Sequence, residues 1–264
     1  MSVFDILKVR VAEGYQAIRD PRKQPLDPKF RGIPLLDGAA CGKCDTPGEC
    51  AAVCPASAIT FEPLSIDLGR CVLCGDCAAA CSHGGIRFSS EHRMSTSRRE
   101  GLIVKSGERI EDWPERLEPA GREILKVLGR SLKLRSVSAG GCNGCELELN
   151  ASHNVNFDLN RYGVEVVASP RHADALFLTG PVSRNMAPAV RDVWEMMPEP
   201  KLLIVAGACA ISGGVFADSP DLDRTFLQEH VPDLYIPGCP AHPLTIVNGI
   251  LGLLGRKKAG LFSL

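Results

Sequence analysis

Residues 132–148 read LKLRSVSAGGCNGCELE. An apolar run of strand length stops at a glycine hinge. A Cys-x-x-Cys, Cys142 and Cys145, follows it, with two carboxylates, Glu146 and Glu148, just behind. Four more runs of strand length stand in the same half: VEVVA (164–168), ADALFLTG (173–180), KLLIVAG (201–207) and DLYIPG (233–238). Helical candidates lie among them: GREILKVLG (121–129), APAVRDVWEMM (187–197) and PLTIVNGILGLL (243–254). Near-continuous apolar strands alternating with helices predict an α/β domain whose parallel sheet is covered on both faces.

Ligands of open α/β sheets sit beyond the carboxyl ends of the strands. Cys142 and Cys145 follow the first strand, Cys209 follows the run ending at Gly207, and Cys239 follows the run ending at Ile236. Four thiols from three loops are therefore expected at one sheet edge. A c-type haem anchor needs Cys-x-x-Cys-His, and residue 146 is Glu. A redox dithiol leaves Cys209 and Cys239 without a role. A four-cysteine zinc site and an iron–sulfur site both remain open on these residues alone.

The first half has a different grammar. Cys41, Cys44, Cys50 and Cys54 form C-x2-C-x5-C-x3-C, followed by Pro55. Cys71, Cys74, Cys77 and Cys81 form C-x2-C-x2-C-x3-C, followed by Ser82. Each run is trailed by a short apolar segment, ASAITFEP (56–63) and HGGIRFSS (83–90), so the pair is an internal repeat. The spacing is that of the bacterial two-cluster ferredoxin, in which the fourth cysteine of each run ligates the other cluster. It assigns Cys41, Cys44, Cys50 and Cys81 to one 4Fe–4S cluster and Cys71, Cys74, Cys77 and Cys54 to a second. The first run departs from the pattern by carrying DTPGE where two residues are usual, and the second by ending in Cys-Ser. Two zinc sites are the competing reading, but zinc favours separated pairs of cysteines.

With 12 cysteines in 264 residues and no apolar leader in MSVFDILKVRVAEGYQAIRD, the expectation is a reducing, cytoplasmic compartment and metal binding rather than disulfides. A net charge of −1 gives no electrostatic case for nucleic acid. The longest apolar run, residues 244–254, is too short to span a bilayer. No G-x-G-x-x-G follows a strand and no G-x4-G-K-[ST] occurs, so no nucleotide is expected. The expected layout is an N-terminal docking segment (1–35), a ferredoxin-like domain (36–95), a charged linker (96–120) and the parallel-sheet domain (121–264).

The stretches GGCNGCELE, VVASPRHADALFLTGPVSRNM, GACAISGGVF and YIPGCPAHP, in that order, carry a resemblance. They resemble the small, cluster-bearing subunit of group 4 membrane-associated nickel–iron hydrogenases, the formate hydrogenlyase type. That family is itself similar to the 20-kDa subunit of respiratory complex I. FRGIPLLDG and LGRCVLCGDC resemble the two-cluster ferredoxin-like subunit of the same complexes. The two subunits look fused over residues 30–254.

The resemblance implies a flavodoxin-like second domain after a small α+β ferredoxin-like one. It implies a third 4Fe–4S cluster on Cys142, Cys145, Cys209 and Cys239, facing a large nickel–iron partner subunit. It also implies further redox partners, a formate dehydrogenase or a soluble ferredoxin, and membrane subunits holding the chain at the cytoplasmic face of the inner membrane. The complex I subunit usually has adjacent cysteines where this chain has Cys142-x-x-Cys145, which favours the hydrogenase type. The alternative is a subunit of a complex I-like quinone- or ferredoxin-linked oxidoreductase without nickel. A third reading, of a different class, is a free-standing ferredoxin-like carrier. No catalytic residue is expected in this chain. Glu148 is a candidate proton route beside the third site, Arg171 and His172 are read as partner-contacting loop residues, and His83 as a loop residue after Cys81.

Overall fold

The computed structural model describes residues 2–44, 48–129 and 131–256. Asp45, Thr46 and Pro47 of the first cysteine run lie outside them, as do Met1, Arg130 and the final stretch 257–264.

The first half begins with helix α1 (Val3–Glu13), in which Ser2 and Asp5 form a reciprocal capping box. None of its residues is buried. Strand β1 (Pro34–Leu36) then leads into α2 (Gly38–Cys41), α3 (Glu49–Ala52), β2 (Ile59–Phe61), β3 (Leu64–Asp67), α4 (Asp76–Ala79), β4 (Ile86–Phe88) and β5 (Ile103–Lys105). β1 pairs antiparallel with β4, while β2, β3 and β5 form a three-stranded antiparallel sheet.

The two cysteine runs fold by one device. Gly48 (φ 93°) and Gly75 (φ 89°) take the left-handed conformation that L side chains avoid. An acidic residue, Glu49 or Asp76, then opens a single helical turn carrying Cys50 or Cys77. A carboxylate there is favoured by the positive end of the turn. The short strands expected after each run are β2 and β4.

In the second half, α5 (Arg122–Leu128) precedes β6 (Leu132–Ser138), α6 (Gly144–Ala151), β7 (Val164–Val166), β8 (Ala175–Thr179), α7 (Ala187–Met196), β9 (Leu202–Ala206), α8 (Ala208–Ser212), α9 (Thr225–Glu229), β10 (Leu234–Ile236) and α10 (Pro243–Leu253). The five strands are all parallel, in the order β7-β6-β8-β9-β10. That is the flavodoxin-like order, which reverses direction between β6 and β8. Aspartates at the strand starts fix neighbours: Asp174 accepts from the backbone N–H of Lys133 at 2.7 Å, and Asp233 from that of Leu203 at 2.8 Å. The apolar run at 244–254 is α10, buried on nearly every side against β10 and α6. No helix among the described residues is long and apolar enough to cross a membrane.

The two sheet faces have different partners. Phe177, Ile204 and Ile236 face α10 and Leu149 of α6. Leu176, Leu178, Leu203 and Val205 face the other way, into one continuous core with Ile66, Leu68, Met94 and Trp113. The small α+β half therefore packs on the second half and completes its core. The stretch expected as a linker, 96–120, is part of that seam. It contributes β5, buries Leu102 and Trp113, and pairs Thr96 with Tyr235 along the edge of β10 (Thr96 N to Tyr235 O 3.1 Å, Tyr235 N to Thr96 O 2.9 Å).

Candidate metal centres

The cysteines gather in three places. Cys41, Cys44, Cys50 and Cys81 line one cavity, walled by Phe61, Leu64 and Ile86. Cys54, Cys71, Cys74 and Cys77 line a second, walled by Ile59, Ile66 and Phe88. The fourth cysteine of each run thus faces the other run's three. Backbone N–H groups are aimed at the sulfurs: Gly85 at Cys81 Sγ (3.1 Å), Ala58 at Cys54 Sγ (3.3 Å) and Leu73 at Cys71 Sγ (3.4 Å). Such donors favour the thiolate and tune a bound cluster.

The third place is the carboxyl edge of the parallel sheet. Cys142 follows β6, Cys145 stands in the first turn of α6, Cys209 in α8 after β9, and Cys239 after β10. Cys209 and Cys239 each interact electrostatically with Cys142, and Cys145 with both of them. Gly207 shows why the loop needs glycine. Its φ is 88°, and a Cβ there would lie 2.5 Å from Cys145 Sγ.

The donor set suits a soft cation. Burial, with neighbouring thiols adding to it, pushes Cys71 up to about 12 and Cys77 to about 11. Burial, with Glu146 and the neighbouring thiols adding to it, pushes Cys145 up to about 12. Thiols raised in this way ionise when a metal supplies the opposing charge. The thiol quartets, the N–H donors and the apolar walls fit iron–sulfur clusters. Among the described residues, no three His, Cys, Asp or Glu stand as a group suited to one metal ion.

The other candidate residues are placed as follows. Glu146 accepts a hydrogen bond from Thr179 Oγ1 at 2.6 Å, which ties the start of α6 to the end of β8. Glu148 is half-buried on α6, and burial raises its pKa. Arg171 and His172 are exposed just before β8 begins, at its amino end, whereas the cysteines gather at carboxyl ends. His83 lines the first cavity alongside Cys81. His242 caps α10, its Nδ1 accepting from Leu244 N at 3.1 Å, and burial lowers its pKa to about 4, so the ring is neutral. Sequence reasoning missed Arg224, whose guanidinium reaches the backbone of Cys209, because no motif marks it. It also missed the matched GEC and GDC turns at 48–50 and 75–77, which the sequence does display.

The profile of one family, described as NADH ubiquinone oxidoreductase, 20 Kd subunit, matches residues 142–253, from Cys142 through α10. A probable membrane-bound hydrogenase subunit of Pyrococcus furiosus is 41% identical over 138 residues, 52% of this chain and 82% of that protein. The chain belongs to this 20 Kd subunit family. Membership makes it a redox subunit of the kind found in oxidoreductase and hydrogenase complexes. Formate hydrogenlyase subunit 7 of Escherichia coli is 45% identical over 138 residues, 51% of this chain, and the match spans 54% of that protein. NADH-quinone oxidoreductase subunit 6 of Thermus thermophilus is 36% identical over 176 residues, 66% of this chain and 87% of that protein. The match to the 20 Kd family profile takes in all four cysteines of the third place and none of the eight in the first half.

Proposed function

We propose that this chain is the electron-transfer subunit of a group 4 nickel–iron hydrogenase complex of the formate hydrogenlyase type. In this reading it holds three 4Fe–4S clusters, on Cys41/Cys44/Cys50/Cys81, on Cys54/Cys71/Cys74/Cys77 and on Cys142/Cys145/Cys209/Cys239. Each cluster, when bound, accepts and releases one electron. The observation that carries the reading is the division of all twelve cysteines into three quartets set along one continuous protein body.

The chain's own residues supply the route and its insulation. Gly69, two residues before Cys71, is pressed against Ile211, two residues after Cys209. A Cβ on Gly69 would lie 2.8 Å from Ile211 Cγ2. Cys71, Cys77, Ala210 and Ile211 share one dry core. These contacts support a route in which the second quartet neighbours the third. Apolar walls keep water from the inner sulfurs, and the backbone N–H groups stabilise their charge.

The third quartet opens outward. Cys142 and Cys239 are exposed, and Leu147, Val215 and Phe216, on the elements around them, present exposed apolar surface. Exposed apolar surface beside an outward-facing redox site suits docking of the large nickel–iron subunit. Further partners in this reading are a formate dehydrogenase or a soluble ferredoxin at the first quartet, and membrane subunits reached through the complex. The likeness to a quinone oxidoreductase subunit of Thermus thermophilus supports a second reading, a complex I-like quinone- or ferredoxin-linked oxidoreductase without nickel.

Metal analysis of the complex, purified without oxygen through a tag on this chain, separates them. About twelve irons per chain, four for each cluster, with nickel in a large partner is the expected result. The same iron without nickel moves the assignment to the second reading. Iron near zero with stoichiometric zinc would sink both.

A further inference from the structure

Arg224 stands just before α9, half-buried, and makes no ion pair with a carboxylate among the described residues. Its guanidinium is instead spent on four backbone carbonyls. Nη1 donates to Pro181 O at 3.0 Å and Cys209 O at 3.1 Å; Nη2 donates to Ala210 O at 2.8 Å and Ile211 O at 3.0 Å. Three of these belong to α8, the short helix that presents Cys209, and end-of-helix carbonyls carry partial negative charge. The fourth belongs to the loop after β8.

That loop is under tension. Val182 is fully buried with φ 64°, a conformation in which a β-branched side chain is strained. It is pinned from both sides: Val182 N donates to Ala139 O at 3.1 Å, at the root of the Cys142 loop, and Asp223 N donates to Val182 O at 2.9 Å. Residues 223 and 224 therefore fasten the β8 loop to α8. Arg99, which lines the same crevice, differs in that Asp67 neutralises it through two hydrogen bonds of 2.8 Å and 2.6 Å. Arg224 keeps its charge.

We propose that Arg224 is a potential-setting and positioning residue of the third quartet, its uncancelled charge, held against the backbone of Cys209, favouring the reduced state of that site. An added electron increases negative charge, and a nearby fixed cation in low dielectric lowers the cost of that addition. The proposal rests on the reading of Cys142, Cys145, Cys209 and Cys239 as a cluster site.

Charge and clamp can be separated. Arg224→Gln removes the charge. Arg224→Lys keeps the charge but cannot serve four carbonyls. Gln228, exposed on α9, lines the same crevice as Arg224, Arg99 and Tyr235, so Gln228→Glu adds an opposing carboxylate and leaves the clamp intact. The experiment is a redox titration followed by electron paramagnetic resonance on the full chain in its anaerobically purified complex. The signal altered by Cys209→Ser is assigned to the third quartet.

In Arg224→Gln that signal's one-electron reduction is expected to become roughly tenfold less favourable, about 59 mV. Gln228→Glu is expected to move it in the same direction, and Arg224→Lys to leave it close to the unaltered chain. An unchanged potential in Arg224→Gln with the signal retained overturns the proposal, as does an equal shift in Arg224→Lys. If Arg224→Gln loses the signal, Gln228→Glu decides: a downward shift supports the role of charge and no shift overturns it. If no signal depends on Cys209 in the unaltered chain, the cluster reading of the third quartet fails first, and this proposal fails with it.

Discussion

At the scale of single residues, the third quartet depends on a backbone that only glycine tolerates. Gly207 sits between the end of β9 and Cys209, with φ 88° and no room for a methyl group beside Cys145 Sγ. Gly207→Ala should cost about 1–3 kcal/mol in backbone strain alone, before any contact with sulfur. We expect this variant to lose iron from the third quartet selectively, about four atoms per chain, while the two quartets of the first half keep theirs. Iron counting and resonance spectra of the purified variant check this; uniform loss from all three places would contradict it. The gathering of the eight cysteines of the first half at two places was legible in the sequence, because the spacing of the two runs sends the last thiol of each to the other. Arg224 and Thr179 were not. A guanidinium that serves four carbonyls and a hydroxyl that serves one carboxylate make contacts across 13 to 43 positions of chain, and no local pattern encodes them.

At the scale of elements, the two cysteine runs are interlocked by their turns. Gly48 and Gly75 start the same one-turn helix, and each run lends its last thiol to the other run's cavity. Cys54→Ser should therefore disturb the same spectroscopic signal as Cys77→Ser, while Cys81→Ser should pair with Cys50→Ser. If Cys54→Ser instead grouped with Cys50→Ser, the crossed assignment would be wrong. The strands of the second half were legible because β8 and β9 are buried along their whole length and so read as unbroken apolar runs. The ends of the elements were less so: the run 164–168 yields only β7, Val164–Val166, because pairing with β6 stops after Leu134. β5 escaped notice altogether, since IVK lies in a charged stretch and becomes a strand only by pairing with β3.

At the scale of the whole molecule, the chain behaves as one body with a shared core. Ile66, Leu68 and Met94 from the first half pack in the same cluster as Leu203, Val205 and Tyr235 from the second, and Thr96 extends the sheet at β10. Periodicity along the sequence reports which face of an element is buried, but not what buries it, so this seam was invisible there and 96–120 read as a tether. A piece ending at residue 120 and made alone should leave those side chains uncovered. Burial of a large aliphatic side chain is worth about 1.5–3 kcal/mol, so several lost at once remove most of a small domain's margin. Amides of β3 that exchange slowly in the full chain are expected to exchange freely in the piece; full protection there would show that the first half stands alone.

The crossing of Cys54 and Cys81 also sets a schedule for biosynthesis. A ribosome that has released the first run has released three partners of one quartet and a single member of another. The second is whole only when Cys77 emerges and the first only at Cys81, and the quartet on the sheet edge waits for Cys239. In the proposed reading a cell gains nothing by delivering iron before Cys77, because a product stalled ahead of that residue offers no finished nest to any delivery protein.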